Sequence, residues 1–142
     1  MIARDYILRI LQEFFDAIAK AIHKDIPGQE PDLARVQERF NDIYRQFFRR
    51  PAEHFYQTSK EDILAELSDE DADSTTAKVQ MLSELLYRDA LIKSDLHDRC
   101  NLLEKALFML EYLDCNSRTF SWDRGQRIGD IKKMLTEFNT SA

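Results

Sequence analysis

Apolar side chains recur every three or four residues through most of this chain, and that period commits a backbone to helices, because only a helix brings such residues onto one face. Between Ile2 and Ile26, the residues Ile7, Leu11, Phe14, Phe15, Ile18 and Ile22 form one stripe, which predicts a first helix of about 24 residues. Ile10, Ala17 and Ala21 widen the stripe, so more than one neighbour should cover it. Pro27-Gly28 stops this helix, since proline donates no hydrogen bond and glycine takes turn conformations freely. Pro31 and Asp32 suit the start of a second helix, which carries Leu33, Val36, Phe40, Ile43 and Phe47, with Tyr44 and Phe48 beside them. Pro51 ends it at or before Arg50, because the residue preceding proline is pushed out of helical geometry. Two long helices with a short connection make an antiparallel hairpin.

The middle of the chain reads differently. Thr58 or Ser59 can cap a short helix bearing Ile63, Leu64 and Leu67, with Glu61 and Asp62 well placed in its first turn. From Ser68 to Ser74 there is no apolar period and a run of acids, which predicts an exposed, mobile connector with Ser74 or Thr75 as the next cap. A third long helix then places Val79, Leu82, Leu85, Leu86 and Ala90 inward, followed by Leu91 or Ile92, and stops near Ser94-Asp95. The fourth runs from Leu96 to Leu113 around Leu103, Ala106, Leu107 and Leu110. Its apolar face also takes in Leu102, Met109 and Leu113, a width that predicts a central position. Cys115-Asn116-Ser117 breaks the pattern, Ser121 can cap, and a last helix carries Ile128, Ile131, Leu135 and Phe138. Gly125 and Gly129, four apart, offer a place where another backbone approaches closely or simply weaken the helix.

Composition agrees with helices. Three Gly and three Pro in 142 residues are too few for the reversals of a many-stranded sheet. Apolar residues at 44% and charged residues at 32% exclude both a disordered chain and a membrane protein. The net charge of -6 is local: residues 1–50 carry 9 basic and 8 acidic side chains, residues 75–142 carry 10 of each, and residues 51–74 carry Lys60 against eight acids. An acidic centre repels phosphate backbones and argues against nucleic acid as a general partner. Charged residues interrupt the first helix throughout, so no stretch of about 18 uncharged residues spans a bilayer. Cys100 and Cys115 are too few to staple a fold of this size and no secretory signal precedes the first helix, so the expected setting is cytoplasmic.

The stretch Leu85-Leu86-Tyr87, then Leu102 to Leu113 with Ala106 among large apolar residues, then a further amphipathic helix, resembles the helix-turn-helix cadence of tetratricopeptide-type repeats. It departs from that family in lacking the closing proline and in having longer helices. The opening Asp5-Tyr6-Ile7-Leu8-Arg9 is similar to that of an uncharacterised bacterial all-helical family. These resemblances imply a helical interaction architecture and no catalytic motif.

Candidate sites are few. His97 and Cys100 lie three apart, and Asp95, Asp98 or Cys115 would have to complete a metal shell that zinc normally fills with four ligands. A helix-start histidine and a structural thiol explain them better, and no metal or cofactor is expected. Neither cysteine has a glycine-rich elbow, and Glu53-His54 is adjacent rather than spaced as a dinuclear iron ligand pair, so the chain does not read as an enzyme. Arg45, Phe47, Phe48, Arg49 and Arg50, with Tyr44 and Tyr56 nearby, are the strongest basic and aromatic cluster, suited to stacking bases, to an acidic partner, or, with Phe47 in the core seam, to neutralising a helix end. The acidic connector is one intramolecular partner for those arginines. Phe120 and Trp122 suit a satellite cluster locking the last helix.

The expected fold is therefore all-α: antiparallel hairpins forming a tetratricopeptide-like right-handed superhelix or a bundle, with about five long helices and one short one. Residues 1–50 form the first hairpin, 51–74 the acidic connector with its short helix, and 75–142 a three-helix part. The expected function is a non-enzymatic module that docks a protein or peptide, with Tyr44, Arg45, Phe48, Arg49, Arg50, Tyr56 and Trp122 as candidate contacts. Apolar faces wider than their neighbours also permit a homodimer. The alternatives are a ligand or catalytic site assembled between helices, and nucleic-acid contact through Arg45, Arg49 and Arg50.

Overall fold

A computed structural model describes residues 4–23, 26–117 and 121–141, and short polar side chains mark where its helices begin. The elements are α1 (Arg4–Ala21), α2 (Leu33–Ile43) continuing into a π-turn (Tyr44–Phe48), α3 (Ala52–Gln57), α4 (Lys60–Leu67), α5 (Ala72–Leu91), α6 (Leu96–Asn116) and α7 (Trp122–Ser141). Asp32, Ser59, Asp71 and Asp95 each accept a backbone N–H of the following first turn, as does Ser121, which satisfies donors that helix geometry leaves unpaired. No strand occurs among the described residues.

Those residues form seven α-helices rather than five long and one short. The extra one is α3. Pro51, two residues beyond the left-handed Arg49 that closes the π-turn, sets the extended backbone from which α3 starts. Six residues are too few to show a period, yet Ala52 and Phe55 are both buried. The acidic connector shrinks to residues 68–71. There the Asp69 carboxylate accepts from Ser74 Oγ at 2.9 Å, Lys78 Nζ at 2.8 Å and the Asp71 N–H at 2.8 Å. Its hydrogen bond with the Lys78 ammonium, more than any other contact, holds the Asp69 carboxyl below its usual range. Asp71, not Ser74 or Thr75, caps α5, and both of those hydroxyl residues are buried.

One apolar core draws on all seven helices, so it crosses both expected boundaries at residues 50 and 74. α5 and α6 form the antiparallel spine; α7 packs on α6, α1 on α5, and α2 on α1. α5 is buried on more of its circumference than α6, and its buried set includes Ser83 and Asp89. Against expectation, Phe15 on α1, Ile22 just past its end and Leu33 on α2 are exposed. Gly125 and Gly129 meet nothing within 4 Å at the position of a Cβ, so neither serves a close approach. The anticipated Ile2 helix start and Phe120 lie outside the described residues.

The π-turn ends at Arg49, whose φ of 60° is left-handed and whose N–H donates to the Arg45 carbonyl at 3.1 Å. A side chain pays steric strain there that glycine avoids. Arg49→Gly is expected to stabilise the fold by about 1 kcal/mol, or about 3 °C in thermal unfolding followed by circular dichroism.

Candidate functional site

The π-turn gathers most of the residues singled out in the sequence but divides them between interior and solvent. Tyr44 has no exposed surface, so it is not available to a partner. Its ring stacks on Phe55 at 5.4 Å between centroids. Phe48 is half-buried, edge-on to Phe14 and Phe55. Arg45, Arg49 and Arg50 are exposed, with Arg45 loosely paired to Asp42 at 3.9 Å. The acidic residues expected to neutralise them pair elsewhere, Glu66 with His54 and Asp69 with Lys78. Trp122 stands on a different element, at the start of α7, and is 68% exposed rather than locked in a cluster.

Beneath the π-turn lies a polar knot that the sequence reading did not single out. Asp89 of α5 is fully buried. Its Oδ2 accepts the hydroxyls of Tyr44 at 2.8 Å and Tyr56 at 2.5 Å, while Oδ1 stands 3.1 Å from the Lys93 ammonium. Lys93 also donates to Gln37 Oε1 at 2.5 Å and to the Tyr56 hydroxyl at 2.9 Å, and lies 4.6 Å above the Tyr56 ring. From α6, the buried Lys105 donates to the carbonyls of Phe55 and Tyr56 at 2.8 and 2.9 Å, and Asn101 donates to that of Tyr56 at 3.0 Å. The last carbonyls of α3 are thus capped by a neighbouring helix. Lys93 uses its ammonium on three oxygens of the chain itself, an arrangement built to hold helices together.

The knot had a signature. Asp89 and Lys93 continue the spacing of Leu82 and Leu86, an acid and a base four apart on an apolar row. Lys105 similarly falls between Leu102 and Met109 on the inner row of α6.

A second feature lies on the other side of α5. A groove of about 580 Å³ opens between α1 and α7, walled by Phe15 on one side and Arg124 and Arg127 on the other. Gln80, Ser83 and Glu84 of α5 and Leu110 and Leu113 of α6 also line it. The α7 wall is braced: Arg127 donates to Glu84 at 2.7 Å and lies 3.9 Å from the centre of the Tyr87 ring, and Arg124 pairs with Asp114. Phe15 on the α1 wall is 37% exposed, and Leu8 and Ile22, seven residues to either side of it, are 54% and 37% exposed. These three are seven residues apart and so stand in one row.

Elsewhere, His97 is exposed and lies edge-on to Phe138, and Cys100 lines a separate cavity of about 240 Å³ with Leu96, Arg99 and Phe138. Burial raises the Cys100 thiol above its ordinary pKa, the opposite of an activated nucleophile. Among the described residues no three His, Cys, Asp or Glu side chains converge to hold a metal, and no helix is long and apolar enough to cross a membrane. No family model, curated protein or solved structure matches the chain.

The knot makes stability depend on alkali. Burial, then the Asp89 charge, pushes both the Tyr44 and Tyr56 hydroxyls well above the ordinary 10.0, so the folded chain keeps two protons that the unfolded chain releases. The stability they supply is complete below pH 10.0 and is lost as pH rises beyond it. Burial lowers Lys105 below 10.5, which acts in the opposite direction only until that pH is passed. Above pH 10.5, therefore, stability is expected to fall steeply. In an ultraviolet titration of the five tyrosines, two are expected to ionise only as the helices melt, and Tyr44→Phe and Tyr56→Phe each to remove part of that delayed step.

Proposed function

We propose that this chain is a non-enzymatic docking module that receives an amphipathic helix of a partner protein in the groove between α1 and α7. The single observation behind this reading is Phe15, a large apolar side chain left partly in solvent on one wall of a groove whose other wall is braced, with Leu8 and Ile22 exposed seven residues to either side of it. From Leu8 to Ile22 the row extends about 21 Å, roughly two heptads, the length over which helix-in-groove recognition reads its anchors.

A catalytic or small-ligand reading has less support. The cleft that opens on Tyr56 and Lys93 measures about 120 Å³. Sites that enclose small molecules generally start at about 300 Å³. The buried ionisable groups beside it are occupied with one another. The arginines of the π-turn offer a second exposed surface, but one without a groove. Two free thiols, Cys100 and Cys115, suit a reducing, cytoplasmic setting.

The test compares partner capture by three versions of the protein in extract of the source cells. Leu8→Glu with Phe15→Asp is expected to abolish capture while circular dichroism stays helical, and the triple change of Arg45, Arg49 and Arg50 to alanine is expected to preserve it. The reverse pattern would move recognition to the π-turn and end this proposal.

A further inference from the structure

The arginines of the π-turn are left over from what the fold itself requires, and we infer that they form a second binding site, one for a short run of Asp and Glu in a partner protein. Arg45, Arg49 and Arg50 are all exposed. Arg45 stands 3.9 Å from Asp42, and among the described residues no hydrogen-bond or ion-pair partner meets the guanidinium of Arg49 or of Arg50. On α5 and α7, by contrast, Lys78, Arg88, Arg124 and Arg127 each reach a carboxylate at 2.5–2.9 Å.

The backbone adds a second observation. Arg49 closes the π-turn through its own N–H, which donates to the Arg45 carbonyl, so the closure makes no use of the side chain. Its φ of 60° is one that glycine adopts without strain. One cation near a helix end answers the helix dipole. Three between positions 45 and 50, one of them on strained backbone, exceed that need.

The chemistry of the side chains then narrows the partner. All three are arginine, whose planar fork pairs with an oxyanion through two parallel N–H donors and is more weakly hydrated than an ammonium. Exposed Asp42 and Glu53 bound the turn in sequence, and α4 carries the exposed Glu61 and Asp62 beyond it. A nucleic-acid backbone or an anionic lipid surface spreads its charge far wider than one turn and would meet those acids. A short acidic peptide ends before it reaches them. The site shares no residue with the groove between α1 and α7, so the helix docked there is held without it.

Fluorescence anisotropy of a labelled hexaglutamate peptide at low ionic strength tests this. The natural sequence is expected to bind the peptide and to release it as salt is raised. Arg49→Gly is expected to weaken binding about threefold without lowering the unfolding temperature, and the change of Arg45, Arg49 and Arg50 together to alanine to weaken it about 20-fold or more. Changing Lys20, Lys132 and Lys133 to alanine removes the same charge from other exposed positions and is expected to leave the affinity within about twofold. No binding by the natural sequence, or equal effects of the two triple changes, would overturn the inference. So would a single-stranded DNA oligonucleotide or phosphatidylserine vesicles bound more tightly than the peptide through the same arginines. The groove takes no part in this assay, so a failure here leaves the docking reading standing.

Discussion

The carboxylate of Asp89 is the constraint around which the rest of the molecule is arranged. Taking an ionised group wholly out of water costs several kcal/mol unless hydrogen bonds and a countercharge replace its hydration. Here the replacements come from separate places: Tyr44 from the π-turn, Tyr56 from α3, and Lys93 from just past the end of α5. Satisfying Asp89 therefore decides where the chain leaves α2 and where the short helix α3 lies. Lys105 and Asn101 repeat the principle from α6 by closing the last carbonyls of α3. Such a knot contributes position more than net energy, because its attraction mainly offsets its own desolvation.

The π-turn is the backbone counterpart of that requirement. Widening one turn changes the phase of the side chains after Ile43, so that Tyr44 reaches Asp89 while Phe47 and Phe48 still turn their edges to Phe14. α1 is thereby clamped along its Phe14, Ile18 and Ala21 face. The neighbouring shoulder of Leu8, Phe15 and Ile22 is left exposed, and Phe15 stands in one wall of an open groove whose other wall is α7, braced by Arg127. The knot on one side of α5 and the groove on the other are consequences of a single arrangement.

Much of the fold could be read from residues alone. The five long helices follow from their apolar periods, and Ser59 and Ser121 sit at the caps proposed for them. α3 escaped because six residues carry no period and Pro51 reads equally as a stop and a start. The connector is shorter than its composition suggests because dense acids read as solvated chain, whereas Asp69 uses its charge to bind Ser74, Lys78 and the Asp71 amide. The candidate sites fared less well. An aromatic and basic cluster in sequence does not tell which members point inward, so Tyr44 and Arg45 were grouped although one is buried and the other exposed. Phe15 and Ile22 share a stripe with Phe14 and Ile18 in any helical projection, and only the position of neighbouring helices shows that the stripe is wider than its cover.

The dependence on Asp89 is most directly measured by equilibrium urea unfolding of Asp89→Ala alone and combined with Tyr44→Phe and Tyr56→Phe. Removing the carboxylate takes from Lys93 its countercharge and from the Tyr44 and Tyr56 hydroxyls their shared acceptor, so a loss of about 3–5 kcal/mol is expected, and the tyrosine substitutions should cost far less once Asp89 is gone. A loss below about 1 kcal/mol, with effects that simply add, would show that the helices find their places without the knot.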